Sequence, residues 1–264
     1  MESARHLDSY STRQFSSRPF LVRDAIPRHF DGVPPLPVSP AVLLQLDLLL
    51  GQRSLDVEAI ADVILADVGA TLQVFRSSAL LKRDSGERPT RIEDCIGWIG
   101  PRKLRQAIAP KGPKRAAHAT RPVVTLWQRA RLTAEIANTL SRRFAGMNPA
   151  SAYLAGLLHE AGRVPAVLAW QVERVDLHDM VGIGRRLAHE WSFPAFVEST
   201  LQFAAGPAQS WTPLQRVVST ACDLANAVTN GRPLQRQVPL GPGEAGPAGY
   251  TEGNAVALRP IRIR

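Results

Sequence analysis

Residues 123–144, VVTLWQRARLTAEIANTLSRRF, decide the fold class. Val124, Trp127, Leu132, Ile136 and Leu140 return to one side of a helix of 3.6 residues per turn. That spacing predicts one long amphipathic helix. Nowhere in the chain does a strict apolar–polar alternation run between hairpin turns, the pattern a half-buried strand requires. The expected class is therefore all-α.

Downstream the pattern continues as helices separated by prolines and glycines. Pro149 opens one, buried through Tyr153, Leu154, Leu157 and Leu158. Others are expected over Val164 to Glu173, Leu177 to Trp191, Pro194 to Ala204 and Pro213 to Thr229. Upstream, Val33-Pro34-Pro35-Leu36-Pro37-Val38-Ser39-Pro40 is an extended lead-in, and Ser39-Pro40 makes an N-cap and first-turn pair. A helix follows over Ala41 to Leu50, ended by Gly51. Asp56 starts a second, with Val57, Ile60, Ala61, Ile64 and Leu65 at helical spacing, broken at Asp67 and Gly69. Leu72, Phe75 and Ala79 mark a third. Thr90 with Glu93 is a candidate capping box for a fourth, and Ile92, Cys95, Ile96 and Ile99 form its apolar side. Leu104, Ala107 and Ile108 continue briefly until Pro110, Gly112 and Pro113 stop the helix. The organisation expected is an irregular leader (1–33), a two-lobed helical domain (34–230, lobes 34–110 and 122–230), and a Gly/Pro-rich tail (231–264).

At 264 residues and 45% hydrophobic content the chain has enough apolar material for a packed core. No apolar run approaches the roughly 18 residues that cross a bilayer, and Met1 to Arg28 lacks a signal-peptide core. A cytoplasmic protein without membrane contact is the expectation. Cys95 and Cys222 sit in apolar helical surroundings and read as buried thiols; without a CxxC pair a zinc knuckle is excluded. The net charge is +9. Arg102, Lys103, Arg105, Lys111, Lys114, Arg115 and Arg121 fall in a span with no Asp or Glu. That span reads either as a solvated surface or as a band for phosphates or acidic protein faces. It has no interleaved aromatics for base stacking, which weakens a nucleic-acid reading. Gly182-x-Gly184 follows no strand and has no third glycine, so it is not a nucleotide loop. Ser77 and Ser78 have no adjacent base to make a nucleophile.

Several motifs, in order, resemble those of the HDOD family, the HD-related output domains. Leu36-Pro37-Val38-Ser39-Pro40-Ala41 is similar to the family's LPxLP lead-in. Leu65-Ala66-Asp67 resembles its I..DP.L step, with Val68 in place of proline. Ser77-Ser78-Ala79 stands near the Asn-Ser-Ala signature, after a helix about two residues short. Ile92 to Gly100 with Arg102-Lys103-Leu104-Arg105 resembles I..AI..LG...LR. Trp127 matches the tryptophan of W.H, and Ala155-Gly156-Leu157-Leu158-His159-Glu160-Ala161-Gly162-Arg163 is similar to AGLLHDIGK. Trp191-Ser192-Phe193-Pro194 matches WGLP, and Ala221-Cys222-Asp223-Leu224-Ala225 matches AADLA.

The resemblance implies an HD-like fold and places the metal ligands of the parent phosphohydrolases one by one. The first histidine falls on Arg129, the His-Asp pair on His159 and Glu160, the late Asp on Asp223, and the paired histidines after WGLP near Gln202 and Phe203. A guanidinium has no lone pair to give a metal and repels a cation. Glu160 carries its carboxylate one methylene further than Asp. The site expected is therefore degenerate, with no metal, cofactor or catalysis, and with Arg129 bridging Glu160, Asp223 or both beside a neutral His159. His178-Asp179 stands in the wrong place in the order, and His189-Glu190 reads as a surface or packing pair. Family resemblance implies a signalling module acting on a protein partner of unknown identity. Two alternatives stay open. One is a residual nucleotide phosphohydrolase using His159, Glu160, His178 and Asp223 on a metal. The other is a nucleotide or nucleic-acid binder using the basic segment.

Overall fold

The computed structural model describes residues 34–82, 86–108, 120–168, 170, 177–201 and 210–230. Among these residues every regular element is helical. The leader 1–33, the tail 231–264 and the segment carrying Lys111, Lys114 and Arg115 lie outside the described residues.

The first lobe holds α1 (Pro40–Leu50), α2 (Val57–Leu65), α3 (Val68–Lys82), α4 (Ile92–Ile99) and α5 (Pro101–Ile108). Asp56 caps α2 by accepting the Ala59 N–H at 3.0 Å. Asp67 ties the lobe together: one carboxylate oxygen accepts the Ala70 N–H at 2.8 Å, the other the Ser39 N–H at 2.9 Å. Ser39 thus anchors the lead-in through its backbone and makes no side-chain cap. Gly69 is required there, because a Cβ would stand 2.0 Å from the Pro37 carbonyl oxygen. The cap of α4 differs from the sequence expectation. Asp94, not Glu93, reaches back, accepting from Thr90 N–H, Thr90 O–H and Arg91 N–H. Arg91, one residue after Thr90, is the N-cap, so the third helical position falls on Asp94.

The second lobe holds α6 (Arg121–Ser141), α7 (Pro149–Leu158), a 3-10 turn (Ala161–Arg163), α8 (Val164–Val167), α9 (Leu177–Glu190), α10 (Ala195–Thr200) and α11 (Pro213–Thr229). α8 ends well short of the expected Glu173, which lies outside the described residues, as does the stretch from Gln202 onward that was expected to extend α10. In α6 the buried stripe is not the large apolar set. It consists of Val123, Leu126, Ala130, Thr133, Ala134, Ala137 and Ser141, whereas Val124 is exposed and Trp127, Leu132, Ile136 and Leu140 are half-buried. Small residues let α6 lie close against both α7 and α11. The large side chains fill the flanks: Ile136 and Leu140 pack on a satellite cluster of Ala137, Ala152, Val217 and Ala221.

One apolar core runs through both lobes. Phe75 of α3 and Phe193, just before α10, meet with ring centroids 5.3 Å apart. Tyr153 of α7 donates its hydroxyl to the Leu65 carbonyl. Among the described residues no helix is long and apolar enough to cross a membrane.

Candidate functional site

The centre of the second lobe is set by how closely α7 approaches α6. A Cβ on Gly156 would lie 2.9 Å from the Ala134 Cα, so only glycine permits this crossing. One turn later the chain delivers His159 and Glu160 opposite Arg129. Gly162 repeats the device, since a Cβ there would sit 2.0 Å from the Met180 carbonyl oxygen of α9.

Arg129 grips Glu160 with two parallel hydrogen bonds: Nε to Oε2 at 2.7 Å and Nη2 to Oε1 at 2.9 Å. Their side chains are 19% and 11% exposed, so the pair is largely withdrawn from water. Arg163 adds an ion-pair contact, its Nε 3.0 Å from Glu160 Oε1. Both carboxylate oxygens of Glu160 are therefore committed to guanidinium groups. Sequence reasoning missed Arg163 as a member. Its signal was the Glu160–Arg163 spacing of three, one of the two spacings at which helical side chains meet.

The His159 side chain is only 3% exposed, and its Nδ1 donates to the Gly156 carbonyl at 2.7 Å. Burial is the main influence on this ring and lowers its pKa; the Glu160 carboxylate acts in the opposite sense. The neutral ring then turns an unprotonated Nε2 inward, 3.9 Å from Glu160 Oε2 and without a hydrogen-bond partner among the described residues. Trp127 Nε1, two residues before Arg129, is likewise buried without a partner among the described residues. Trp127 and Glu160 help line a small, mostly apolar cavity with Val68, Leu126, Leu157 and Val164.

Asp223 does not join this group. It is exposed and, among the described residues, makes no ion pair. The buried face of α11 is Val217, Val218, Ala221 and Ala225. Asp223 lies two residues past Ala221, about 200° round the helix. Cys222 stands nearer: burial pushes its thiol up to about 11, with the charge of Glu160 the next cause. Cys95 is pushed up further, to about 12, again by burial. Both thiols are free. Among the described residues no three side chains of His, Cys, Asp or Glu gather as metal ligands do. Of His178 and Asp179 only the backbone is described, and Gln202 and Phe203 lie outside the described residues.

Four of the seven residues expected to form the basic band are described: Arg102, Lys103, Arg105 and Arg121. Arg105 is paired, Nε to Asp47 Oδ1 at 2.6 Å and Nη2 to Oδ2 at 3.3 Å, and so fastens α5 to α1. Arg102, Lys103 and Arg121 are exposed.

The HDOD domain family is matched over residues 36–181. The chain belongs to the HDOD family. Among solved structures, its fold is similar to the MmoQ response regulator from Methylococcus capsulatus. That likeness has 20% identity over 77% of this chain and 91% of the other, with a TM-score of 0.57. A second structure of that regulator, fragment 20–298, gives 19% identity over 79% and 92%, again with a TM-score of 0.57. An HDOD domain protein of unknown function from Geobacter sulfurreducens matches at 22% identity over 75% and 74%, with a TM-score of 0.32. No curated protein sequence matches the chain. The match to the HDOD family spans the lead-in, the first lobe and the Arg129–Glu160 centre.

Proposed function

We propose that this HDOD chain is a non-catalytic signalling module that acts by binding a protein partner. The observation that carries the reading is the two-bond grip of Arg129 on Glu160. In the parent phosphohydrolases a divalent metal lowers the pKa of a bound water and offsets charge on a phosphoester. Here the residues do not fit that ion. Arg129, at the first-ligand position, is a permanent cation without a lone pair. Glu160 spends its oxygens on two guanidiniums, and Asp223 faces away. A fixed cation in the place of a removable one makes the centre a structural cross-tie between α6 and the end of α7. The fold shared with a response regulator supports a signalling role. We read residues 34–110 and 122–230 as the two lobes of one functional unit, with 1–33 and 231–264 as appendages. Arg102, Lys103 and Arg121 are the described part of the surface we assign to an acidic partner face.

The phosphohydrolase reading has one observation in its favour. His159, with Nδ1 bonded to a backbone carbonyl, presents the kind of imidazole metals select. The test is hydrolysis of bis(p-nitrophenyl) phosphate and of nucleoside triphosphates by the full chain with manganese, nickel or zinc added. The module reading expects no turnover above that of an Arg129→Met, Glu160→Gln double variant. Turnover abolished by His159→Ala and by chelation would establish the enzyme instead.

A further inference from the structure

A second polar feature lies on the outer side of the second lobe, away from the Arg129–Glu160 centre. A cleft of about 440 Å³ is lined by Gly182, Arg185, Arg186, His189 and Glu190 of α9 and Glu198 of α10. It is a broad, open depression, nearer a surface groove than an enclosed pocket. Arg88, from the loop before α4, reaches across from the first lobe. Its Nη1 bonds Glu198 Oε2 at 2.7 Å, and its Nη2 lies 3.2 Å from His189 Nδ1.

Three consequences follow from this arrangement. First, the charge of Glu198 is already answered by Arg88, and Glu190, which has an interaction of its own, sets one negative charge against the two positive charges of Arg185 and Arg186. Arg185 and Arg186 have no ion-pair partner among the described residues, so the cleft keeps uncommitted positive charge. Second, a guanidinium only donates, so His189 Nδ1 accepts from Arg88 and the ring proton resides on Nε2. His189 thereby offers a third donor. Third, among the described residues nothing packs on Gly182: a Cβ there would meet no described atom within 4 Å, unlike those on Gly69, Gly156 and Gly162. A mid-helix glycine is less favourable to the helix than alanine. Side chains on a helix lean over the preceding turn, so Arg185 and Arg186 lean over a bare stretch of backbone at Gly182.

We propose that this cleft binds a small molecule carrying a phosphate or diphosphate group, held by Arg185, Arg186 and His189 Nε2–H above the open floor at Gly182. A phosphate offers three acceptor oxygens and close to two negative charges. Two adjacent guanidinium forks answer that charge, and each can bond two oxygens at once. A monocarboxylate supplies one charge and two oxygens, leaving a fork unfilled. The inference goes beyond the module reading and does not depend on whether the Arg129–Glu160 centre is catalytic.

The experiment is isothermal titration calorimetry of the full chain with sodium pyrophosphate, and with sodium acetate at matched ionic strength. One-to-one binding of pyrophosphate, with no saturable heat from acetate, is expected. Arg185→Gln with Arg186→Gln should weaken it by about tenfold or more. Gly182→Leu should weaken it similarly by filling the floor, while its melting temperature stays level or rises, because leucine favours helix more than glycine does. Arg131→Gln with Arg216→Gln removes equal charge elsewhere and should leave the affinity within about twofold. The proposal is overturned by absent pyrophosphate binding, by acetate binding as tightly, by binding that survives the Gly182→Leu change, or by equal loss in the Arg131/Arg216 control.

Discussion

Replacing Arg129 by methionine isolates what the central ion pair does. Methionine keeps most of the length and removes the charge and all donors. Glu160, 11% exposed, then loses its two bonds from Arg129 and keeps only the ion-pair contact with Arg163, which is 41% exposed. Breaking a buried pair from one side costs about 3–5 kcal/mol, because a charge is left without compensation. The surviving Arg163 contact resembles a surface pair, worth about 1 kcal/mol or less. The expected loss is therefore about 2–4 kcal/mol, measured by urea unfolding at neutral pH. At about 2–4 °C per kcal/mol for a chain of this size class, the melting point should fall by roughly 4–16 °C. Arg163→Met should cost under about 1 kcal/mol. Arg129→Met combined with Glu160→Met should recover most of the loss, since an apolar pair of similar volume is often neutral in place of a buried ion pair. A single Arg129→Met variant within about 0.5 kcal/mol of the parent, the range of ordinary surface changes, would refute the reasoning.

The glycines offer a graded test by alanine substitution and thermal melts. Gly69→Ala, Gly156→Ala and Gly162→Ala should each destabilise by about 1–3 kcal/mol or more, because each Cβ meets backbone at 3 Å or less. Gly182→Ala should be neutral or stabilise by up to about 1 kcal/mol. His159 should make stability depend on pH. Its folded pKa lies below the ordinary 6.5, so the unfolded chain binds the proton first as pH falls. Stability from this group is complete above about 6.5 and declines as pH drops toward the lower folded value. The difference in melting temperature between the parent and His159→Gln, followed over about pH 5–7.5, should narrow toward the acid end; a constant difference would remove His159 as the cause. Cys95 and Cys222, with thiols pushed up to about 12 and about 11, should resist alkylation by iodoacetamide at neutral pH until the chain unfolds. Rapid labelling of the native chain would contradict that burial.

Helix existence was legible in the sequence wherever local chemistry marked both ends. α11 runs Pro213–Thr229 as expected, because Thr212 and Gln215 close a capping box around a first-turn proline. The face of α6 was not legible: large residues attract a periodicity reading, whereas the close approach of two neighbouring helices selects alanine, serine and threonine. The meeting of Arg129 with Glu160 could be read from the family resemblance, but not which carboxylate the arginine would choose. That choice depends on a rotation of α11 that turns Cys222 toward the centre and Asp223 toward solvent. The Arg88 link to Glu198 and His189 joins residues 110 and 101 positions apart, and no local pattern announces such a contact.

The central claim is that Arg129 holds the place where the parent enzymes keep a divalent ion. Its most direct test is the metal content of the full chain, purified without chelator or affinity tag, dialysed against manganese, nickel and zinc in turn, and measured by mass spectrometry. Well below one equivalent of each metal is expected, with no change on mutation of His159, Glu160 or Asp223. One equivalent per chain, lost on His159→Ala and again on Asp223→Ala, would contradict it.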